Sequence, residues 1–226
     1  MDKLIVFSNK TEGRDKFCKV LQYGSRMLKA LLSNPVTKER LNGLFTASRD
    51  ARKMFRLWKS VHEYDAMVKL LQNVGIDNPQ RALQFLSRLA FFFYWLFDNL
   101  AILSAIKFIK RDTQKLTKSA MTCWFIALIF TLINLLRNLV INLSKDAKLK
   151  RPSTDSNAQS TKQTLDALKG ARTQIYINLV KTLGDMIPAA GGAQIALKIF
   201  GKNFSEKWIG LGGLVSALIS CYQAWP

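Results

Sequence analysis

The sequence contains little of what an enzyme or a metalloprotein needs. Only one histidine, His62, occurs in 226 residues, a count that excludes a histidine-rich metal site and a Cys2His2 zinc finger. The three cysteines are far apart and form no CxxC pair, so we interpret them as free thiols in a reducing compartment. We also find no nucleophile motif and no paired carboxylates in a defined frame. We therefore predict a protein that is not an enzyme and that uses no cofactor or metal.

Acidic residues are scarce relative to basic ones. The chain has 15 Asp and Glu residues against 34 Lys and Arg residues, which gives a formal net charge of +19. Such an excess indicates an anionic partner, either nucleic acid or an anionic lipid surface, and the charge alone does not separate the two. Strand-like patterning is also nearly absent, being limited to the short run Leu4–Phe7. Helical periodicity elsewhere predicts an all-α protein.

Long apolar runs are what the sequence does have. Ser119–Leu136 is 18 residues without a charge, just long enough to cross a hydrocarbon core of about 30 Å. Trp208–Pro226 is 19 residues without a charge and has aromatic residues near both ends, as membrane spans often do. The run Leu89–Ile106 carries Asp98, so we expect it to be partly inserted or packed against protein. The sequence thus predicts an integral membrane protein with about two spans, at about 119–136 and 208–226.

Polar breaks divide the chain into four regions. The third region is almost free of large apolar residues, and such a segment cannot offset its ordering entropy by burial, so we predict a linker. In the first region, Pro35 separates two helices, and the second runs from about Glu39 to Leu71. The regions are basic amphipathic helices at 1–75, apolar membrane-associated helices at 80–143, a polar linker at 144–163, and a helix plus the C-terminal span at 164–226.

The stretch Arg49–Tyr64 separates its apolar and basic residues onto two faces of one helix at 100° per residue. Basic residues on one face and Trp, Phe and Leu on the other are typical of a helix that lies in a lipid interface. A basic amphipathic helix that packs on a protein core with its charges in water stays open as an alternative. We predict a membrane-inserting face of Leu44, Met54, Phe55, Trp58 and Val61. The predicted lipid-headgroup-binding residues are Arg49, Arg52, Lys53, Arg56 and Lys59.

The C-terminal run also has a pattern of small residues. Gly213, Ala217 and Cys221 recur at four-residue spacing, which lets helix backbones approach closely in lipid. We therefore predict that these three residues form a helix-contact face of the second span.

Three segments resemble one known family. EGRDKFCKVLQYGSRML, Glu12–Leu28, resembles the N-terminal motif of the peroxin eleven family of peroxisomal membrane proteins, especially its plant-type branch. Ala51–Val61 is similar to that family's basic amphipathic helix, and Gly213–Pro226 is similar to its C-terminal membrane segment. The matches come in family order and span most of the chain.

The resemblance implies a multi-pass protein of the peroxisomal membrane whose N-terminal region faces the cytosol. It implies that the amphipathic helix inserts into the cytosolic leaflet of an anionic phospholipid membrane, and that the protein promotes membrane elongation, peroxisome proliferation and fission. It also implies a homo-oligomer that cooperates with fission machinery, namely a dynamin-type GTPase and its membrane adaptor.

Two other functions stay open at this point. Some members of the family are discussed as pores, and an oligomeric metabolite pore could form around Asp98 or Asp185. A nucleic-acid-binding protein would also be basic, but the segregated faces and the uncharged runs weigh against it. We therefore predict no nucleic-acid partner.

Overall fold

A computed structural model describes residues 1–74, 78–150 and 158–226 of the chain. Every regular element in these ranges is an α-helix, which confirms the predicted all-α class. The helices are α1 Asp2–Asn9, α2 Thr11–Leu31, α3 Pro35–Phe55, α4 Lys59–Val74, α5 Pro79–Ala105, α6 Thr113–Leu149, α7 Ala158–Gly192, α8 Ile195–Phe200 and α9 Glu206–Ala224.

Side-chain caps set where three of these helices begin. The side chain of Asn34 accepts a hydrogen bond from the backbone N–H of Thr37, and Pro35 follows as the first residue of α3. Asn78 begins α5 in the same way, again directly before a proline. Asp112 caps α6 by accepting from two backbone N–H groups of the first turn. Caps of this kind satisfy donors that have no partner inside the helix, and proline suits the first helical position.

The second N-terminal helix, expected from about 39 to 71, is divided in two. Helix α3 ends at Phe55, α4 begins at Lys59, and Trp58 between them has a φ of 69°. This left-handed backbone conformation is uncommon for a bulky residue and redirects the chain. As a result α3 packs against α2, whereas α4 packs along α5. The two-faced pattern of apolar and basic residues continues across the break, so the pattern did not reveal it.

Helical structure extends into both ends of the predicted linker at 144–163. Helix α6 continues through Leu149, and α7 begins at Ala158. Residues 151–157 lie outside the described ranges, as do residues 75–77 at the predicted boundary between the first two regions. The division into four regions stays a prediction.

Six helices form a closed ring. Going around it, α2 packs against α3, α3 against α5, α5 against α6, α6 against α7, α7 against α9, and α9 against α2. Helices α1, α4 and α8 lie against α2, α5 and α7 respectively. A cavity of about 680 Å³ lies inside, and all six ring helices contribute to its wall.

The burial pattern of this ring differs from that of a soluble helix bundle in two ways. Asp15, Arg52, Arg56 and Asp98 are buried, although charged residues are almost never fully buried in soluble proteins unless paired. Large apolar residues are meanwhile exposed along most of the helices. Exposed apolar surface has a free-energy cost in water that it does not have in lipid. The ring therefore has the outer surface of a membrane protein.

Two of the described helices, α5 and α6, are long and apolar enough to cross a membrane. Only 28% of the most apolar stretch of α5 and 17% of that of α6 is buried inside the fold. Most of the surface of these two stretches therefore faces outward. Helix α6 contains the predicted span at 119–136. With 37 residues it is about 55 Å long at 1.5 Å per residue, which exceeds a hydrocarbon core of about 30 Å.

Helix α5 was not expected to form a full span, because the second span was predicted at 208–226. The run that contains Asp98 belongs to α5, and this helix meets the length and apolarity needed for a span. Asp98 itself is 1% exposed and lies inside the ring. Helix α9 contains the run expected to form the second span, but it is not one of the two described helices that are long and apolar enough to cross a membrane. A span at 208–226 stays a prediction.

Candidate functional site

The predicted membrane-inserting face lies on the outside of α3 and α4. Leu44, Met54, Trp58 and Val61 have exposed fractions of 41%, 48%, 74% and 53%, and we call these four residues the outer apolar face. Phe55, the fifth residue of the prediction, is only partly exposed. Because exposed side chains of this size are costly in water, the outer apolar face is a surface suited to lipid.

The predicted headgroup-binding residues are divided between the surface and the interior. Arg49 and Lys59 are partly exposed, and the guanidinium of Arg49 donates to the neighbouring Asp50. Arg52 and Arg56 are instead buried, and the side chain of Lys53 is only 11% exposed. These last three turn inward because carboxylates from other helices lie opposite them. In this arrangement their charged groups lie at the wall of the cavity.

Asp15 on α2 is the first of these carboxylates. Its Oδ1 lies 3.2 Å from Nε of Arg52 and 3.6 Å from Nε of Arg56, and its Oδ2 lies 3.5 Å from Nζ of Lys16. Arg52 also donates to Oε1 of Gln22 at 2.6 Å. Burial by itself raises the pKa of Asp15, but Arg52 and the other nearby cations outweigh it and hold that pKa below its usual value. Asp15 is therefore ionised at neutral pH.

Asp98 on α5 is the second carboxylate. Its oxygens lie 3.5 Å from Nζ of Lys53 and 3.5 Å from Nη2 of Arg56. Arg56 also donates from Nη1 to the hydroxyl of Tyr94 at 3.1 Å, and its guanidinium lies 5.2 Å from the centre of the Trp95 ring. The lone acid of the apolar run is therefore a counter-charge inside the cavity and not a group exposed to lipid.

A second buried cluster joins three helices. The amine of Lys19 on α2 donates to Oδ1 of Asp185 on α7 at 2.8 Å and to Oγ of Ser216 on α9 at 2.7 Å. Burial lowers the pKa of Lys19 to about 8, although the charge of Asp185 opposes this shift. The cluster links α2, α7 and α9 on one side of the ring.

The small residues of α9 lie against α2 of the same chain. Gly213 contacts the ring of Tyr23 so closely that a Cβ at this position would overlap the ring, and a Cβ at Gly210 would lie 2.6 Å from the backbone nitrogen of Met27. Ala217 is fully buried, whereas Cys221 is partly exposed. The four-residue spacing indicated a close helix contact, and the structure identifies α2 as a partner for Gly213.

Sequence reasoning missed Asp15 and the inward turn of the basic residues. Asp15 and Arg52 are 37 positions apart, and Lys19 and Asp185 are 166 apart, so no local pattern connects them. One usable signal was Asp98, because a charged residue inside an apolar helix is expected to have a partner within the fold. Taken together, the interior groups can hold polar or charged solutes, while the outer apolar face can lie in lipid.

Comparison with known proteins agrees with this membrane arrangement. The family model described as peroxisomal biogenesis factor 11 (PEX11) matches residues 1–225. The chain is 29% identical to a peroxisomal membrane protein 11 homolog of Dictyostelium discoideum, over 100% of this chain and 94% of that protein. It is 28% identical to peroxisomal membrane protein 11-1 of Oryza sativa subsp. japonica, over 99% of this chain and 90% of the relative. No solved structure matches the chain.

A fungal relative extends the comparison beyond slime mould and plant. The chain is 23% identical to the peroxisomal membrane protein PMP27 of Saccharomyces cerevisiae, over 99% of this chain and 93% of that protein. These matches run end to end and include the N-terminal, amphipathic and C-terminal segments on which the resemblance was based. The chain belongs to the peroxisomal biogenesis factor 11 (PEX11) family.

Proposed function

We propose that this chain is a multi-pass protein of the peroxisomal membrane that elongates the membrane by inserting its outer apolar face into one leaflet, with its N-terminal region on the cytosolic side. The observation that carries the proposal is the exposure of Leu44 and Met54 on α3, Val61 on α4 and Trp58 at the break between them. Membership of the family, and relatives named as peroxisomal membrane proteins, support the location.

The proposed mechanism follows from where these side chains lie. Apolar surface gains about 25 cal/mol per Å² when it leaves water, so the outer apolar face favours the acyl boundary of a bilayer. Helices that occupy area in only one leaflet expand that leaflet and favour positive curvature. Arg49 and Lys59 flank the face and are partly exposed, and each basic residue near an anionic leaflet adds about 1 kcal/mol. Headgroup contacts by Arg52, Lys53 and Arg56 at the surface of the leaflet stay a prediction.

The proposal is tested with the full-length chain reconstituted into vesicles of phosphatidylcholine and phosphatidylserine. Met54→Glu or Trp58→Glu places a charge on the outer apolar face, so we expect tubules seen by electron microscopy to disappear while the protein still resists alkaline carbonate extraction. Gln72→Glu, at an exposed polar position of α4, is the matched control and should tubulate like the wild type. Unchanged tubulation by both face variants would rule the mechanism out.

Self-association and fission belong to a later step of the same proposal. The resemblance predicts a homo-oligomer and cooperation with a dynamin-type GTPase and its membrane adaptor. An elongated membrane tubule is the substrate that such a GTPase constricts, so we propose that this chain acts before the fission machinery.

A second candidate function is a conduit for polar metabolites, and the charged cavity inside the ring favours it. The ring of six helices surrounds polar and charged side chains, and its outer surface is largely apolar. Such an arrangement is how a helical protein presents a polar path inside a membrane.

Purified protein in planar bilayers tests the conduit. Asp98 lies at the cavity wall, so Asp98→Ala should shift the ion selectivity of any conductance, whereas Asp166→Ala, at an exposed position of α7, should leave it unchanged. Absence of conductance, or conductance indifferent to Asp98→Ala, would count against this function.

A further inference from the structure

The cavity wall carries more positive than negative charge in one place. Five cations lie together, and we call them the basic cluster: Lys16, Arg52, Lys53, Arg56 and Lys59. The carboxylates within 4 Å of their charged groups, among the described residues, are Asp15, Asp98 and the exposed Glu12, the last beside Lys16 only. Five positive and three negative charges leave an excess of two.

The distances show that the carboxylates are shared and not closely paired. Asp98 is 3.5 Å from each of its two cations, and Asp15 is 3.2 to 3.6 Å from its three. Charge-assisted hydrogen bonds are usually about 2.7–2.9 Å long, which is the distance found between Lys19 and Asp185 in the same fold. Arg52 and Arg56 have five donors each. The basic cluster therefore retains donors for a further acceptor.

Arg52, Lys53 and Arg56 are the largely buried members of the basic cluster, and with the buried Asp15 and Asp98 they leave an excess of one positive charge. Such an excess is unstable without a counter-charge, because removing an ion from water costs several kcal/mol. Two responses are open to the protein, which are to lose a proton or to bind an anion. Burial and then the neighbouring Lys16 lower the pKa of Lys59, in the direction of proton loss. The guanidinium groups cannot respond in this way, since arginine stays protonated in proteins. An anion is thus the counter-charge that suits Arg52 and Arg56.

The space beside the basic cluster fits a small ligand. The cavity of about 680 Å³ falls within the range of about 300–1,000 Å³ found for small-molecule sites. Its other wall, from α5 and α6, includes Tyr94, Thr117, Trp95 and Trp124. The hydroxyls of Tyr94 and Thr117 can donate to anionic oxygens.

We propose that the basic cluster binds a small polyanion that carries phosphate or carboxylate groups. The forked guanidinium groups of Arg52 and Arg56 provide the main contacts, because they match planar carboxylate and phosphate oxygens in pairs. Lys53 and Lys59 complete the charge. A soluble metabolite or a lipid headgroup can supply the same anion. Binding rests on the cavity alone, and it requires neither membrane bending nor conduction.

The first experiment measures equilibrium binding of radiolabelled pyrophosphate to the full-length chain in uncharged detergent at constant ionic strength. We expect saturable binding of one anion per chain. Lys53→Gln and Lys59→Gln each remove a charge without removing a short hydrogen bond to a carboxylate, and each should weaken binding about tenfold or more. Lys110→Gln removes the same charge from an exposed loop position and should leave the affinity unchanged.

Asp98→Asn should change the affinity for pyrophosphate in the opposite direction. It removes a negative charge from the cavity but keeps the shape of the side chain, so pyrophosphate binding should become several-fold tighter. A merely structural role for Asp98 predicts weaker binding, or none, because the site would be lost. Thermal unfolding of each variant in the same detergent separates loss of affinity from loss of fold.

A second arm identifies the source of the anion. The protein in nanodiscs of phosphatidylcholine is compared with the protein in nanodiscs that also contain phosphatidic acid. If phosphatidic acid displaces pyrophosphate, and Lys53→Gln reduces this competition, the site takes a lipid headgroup. If pyrophosphate binds equally in both, the site takes a soluble anion. The proposal is overturned if neither anion binds saturably, or if Lys110→Gln weakens binding as much as Lys53→Gln. Neither result bears on the vesicle test of the outer apolar face.

Discussion

Lys19 is a buried cation whose amine contacts both a carboxylate and a hydroxyl. Its side chain is 7% exposed, and that of Asp185 is 13% exposed. Lys19→Met leaves the Asp185 carboxylate in the interior without its cation, so we expect the free energy of unfolding to fall by about 3–5 kcal/mol, as for other buried pairs from which one partner is removed. Denaturant unfolding of the purified protein in detergent measures this loss.

The double variant Lys19→Met with Asp185→Asn is the control for that prediction. Since it removes both charges, no uncompensated ion remains, and replacing a buried ion pair by neutral groups is often close to neutral in stability. We expect the double variant to recover most of the loss. A double variant as unstable as the single one would show that the pair's charges are not what makes Lys19 necessary.

Lys19 also makes the free energy of unfolding depend on pH between about 8 and 10.5. Burial lowers its pKa from 10.5 to about 8 in the folded protein. Between these two values the unfolded chain binds more protons than the folded one, so this group's contribution to the free energy of unfolding rises as pH increases from about 8 to 10.5. The measurement is the difference in thermal unfolding midpoint between the wild type and Lys19→Met across this range. A difference that does not change with pH would contradict the lowered pKa.

At the scale of the elements, helix α9 depends on glycine to reach α2. Gly213 lies directly against the ring of Tyr23, with no room for a Cβ. Gly213→Val therefore forces the two helices apart, and we expect a loss of about 1–3 kcal/mol or more in the free energy of unfolding, as for other overpacked interiors. Thermal unfolding in detergent, followed by circular dichroism, measures the loss.

Gly43 provides the matched control in α3. A Cβ at this position meets no atom within 4 Å, so Gly43→Ala should gain about 0.5–1 kcal/mol from helix propensity alone. Equal destabilisation at both glycines would show that contact with α2 is not the reason why Gly213 is needed.

Helix boundaries were predictable where a local signal marks them. Pro35 was recognised as the separator of two helices, and the span at 119–136 lies within α6. The break at Trp58 was not predictable, because a single left-handed residue leaves the spacing of the apolar residues nearly intact on both sides. The helical wheel separated apolar from basic residues but did not show that Arg52, Lys53 and Arg56 face the interior. That orientation depends on Asp15 and Asp98, which come from other helices.

At the scale of the whole molecule, the membrane character was predictable and the ring was not. Uncharged runs are local and can be read directly, and the family resemblance rests on three local segments. Closure of the ring depends on contacts between helices far apart in sequence, such as α2 with α9. The buried charges Asp15, Lys19, Arg52, Arg56 and Asp98 then acquire a common explanation, since each belongs to the wall of one cavity. A ring with charged groups on its cavity wall and large apolar groups on its outside should behave differently toward lipid and water at these two surfaces.

Nitroxide labels placed at single cysteines test this reversed arrangement, in a background without the three native cysteines. Ile133, 44% exposed on α6, should as a labelled cysteine collide mainly with oxygen, which concentrates in lipid. Thr117, on the cavity wall of the same helix, should show the lower oxygen access of a site packed inside protein. Lys115, 87% exposed near the start of α6, is the control and should favour a water-soluble nickel chelate. Preferential access of the nickel chelate to the label at Ile133 would mean that the outside of the ring faces water, and the membrane assignment of α6 would then be wrong.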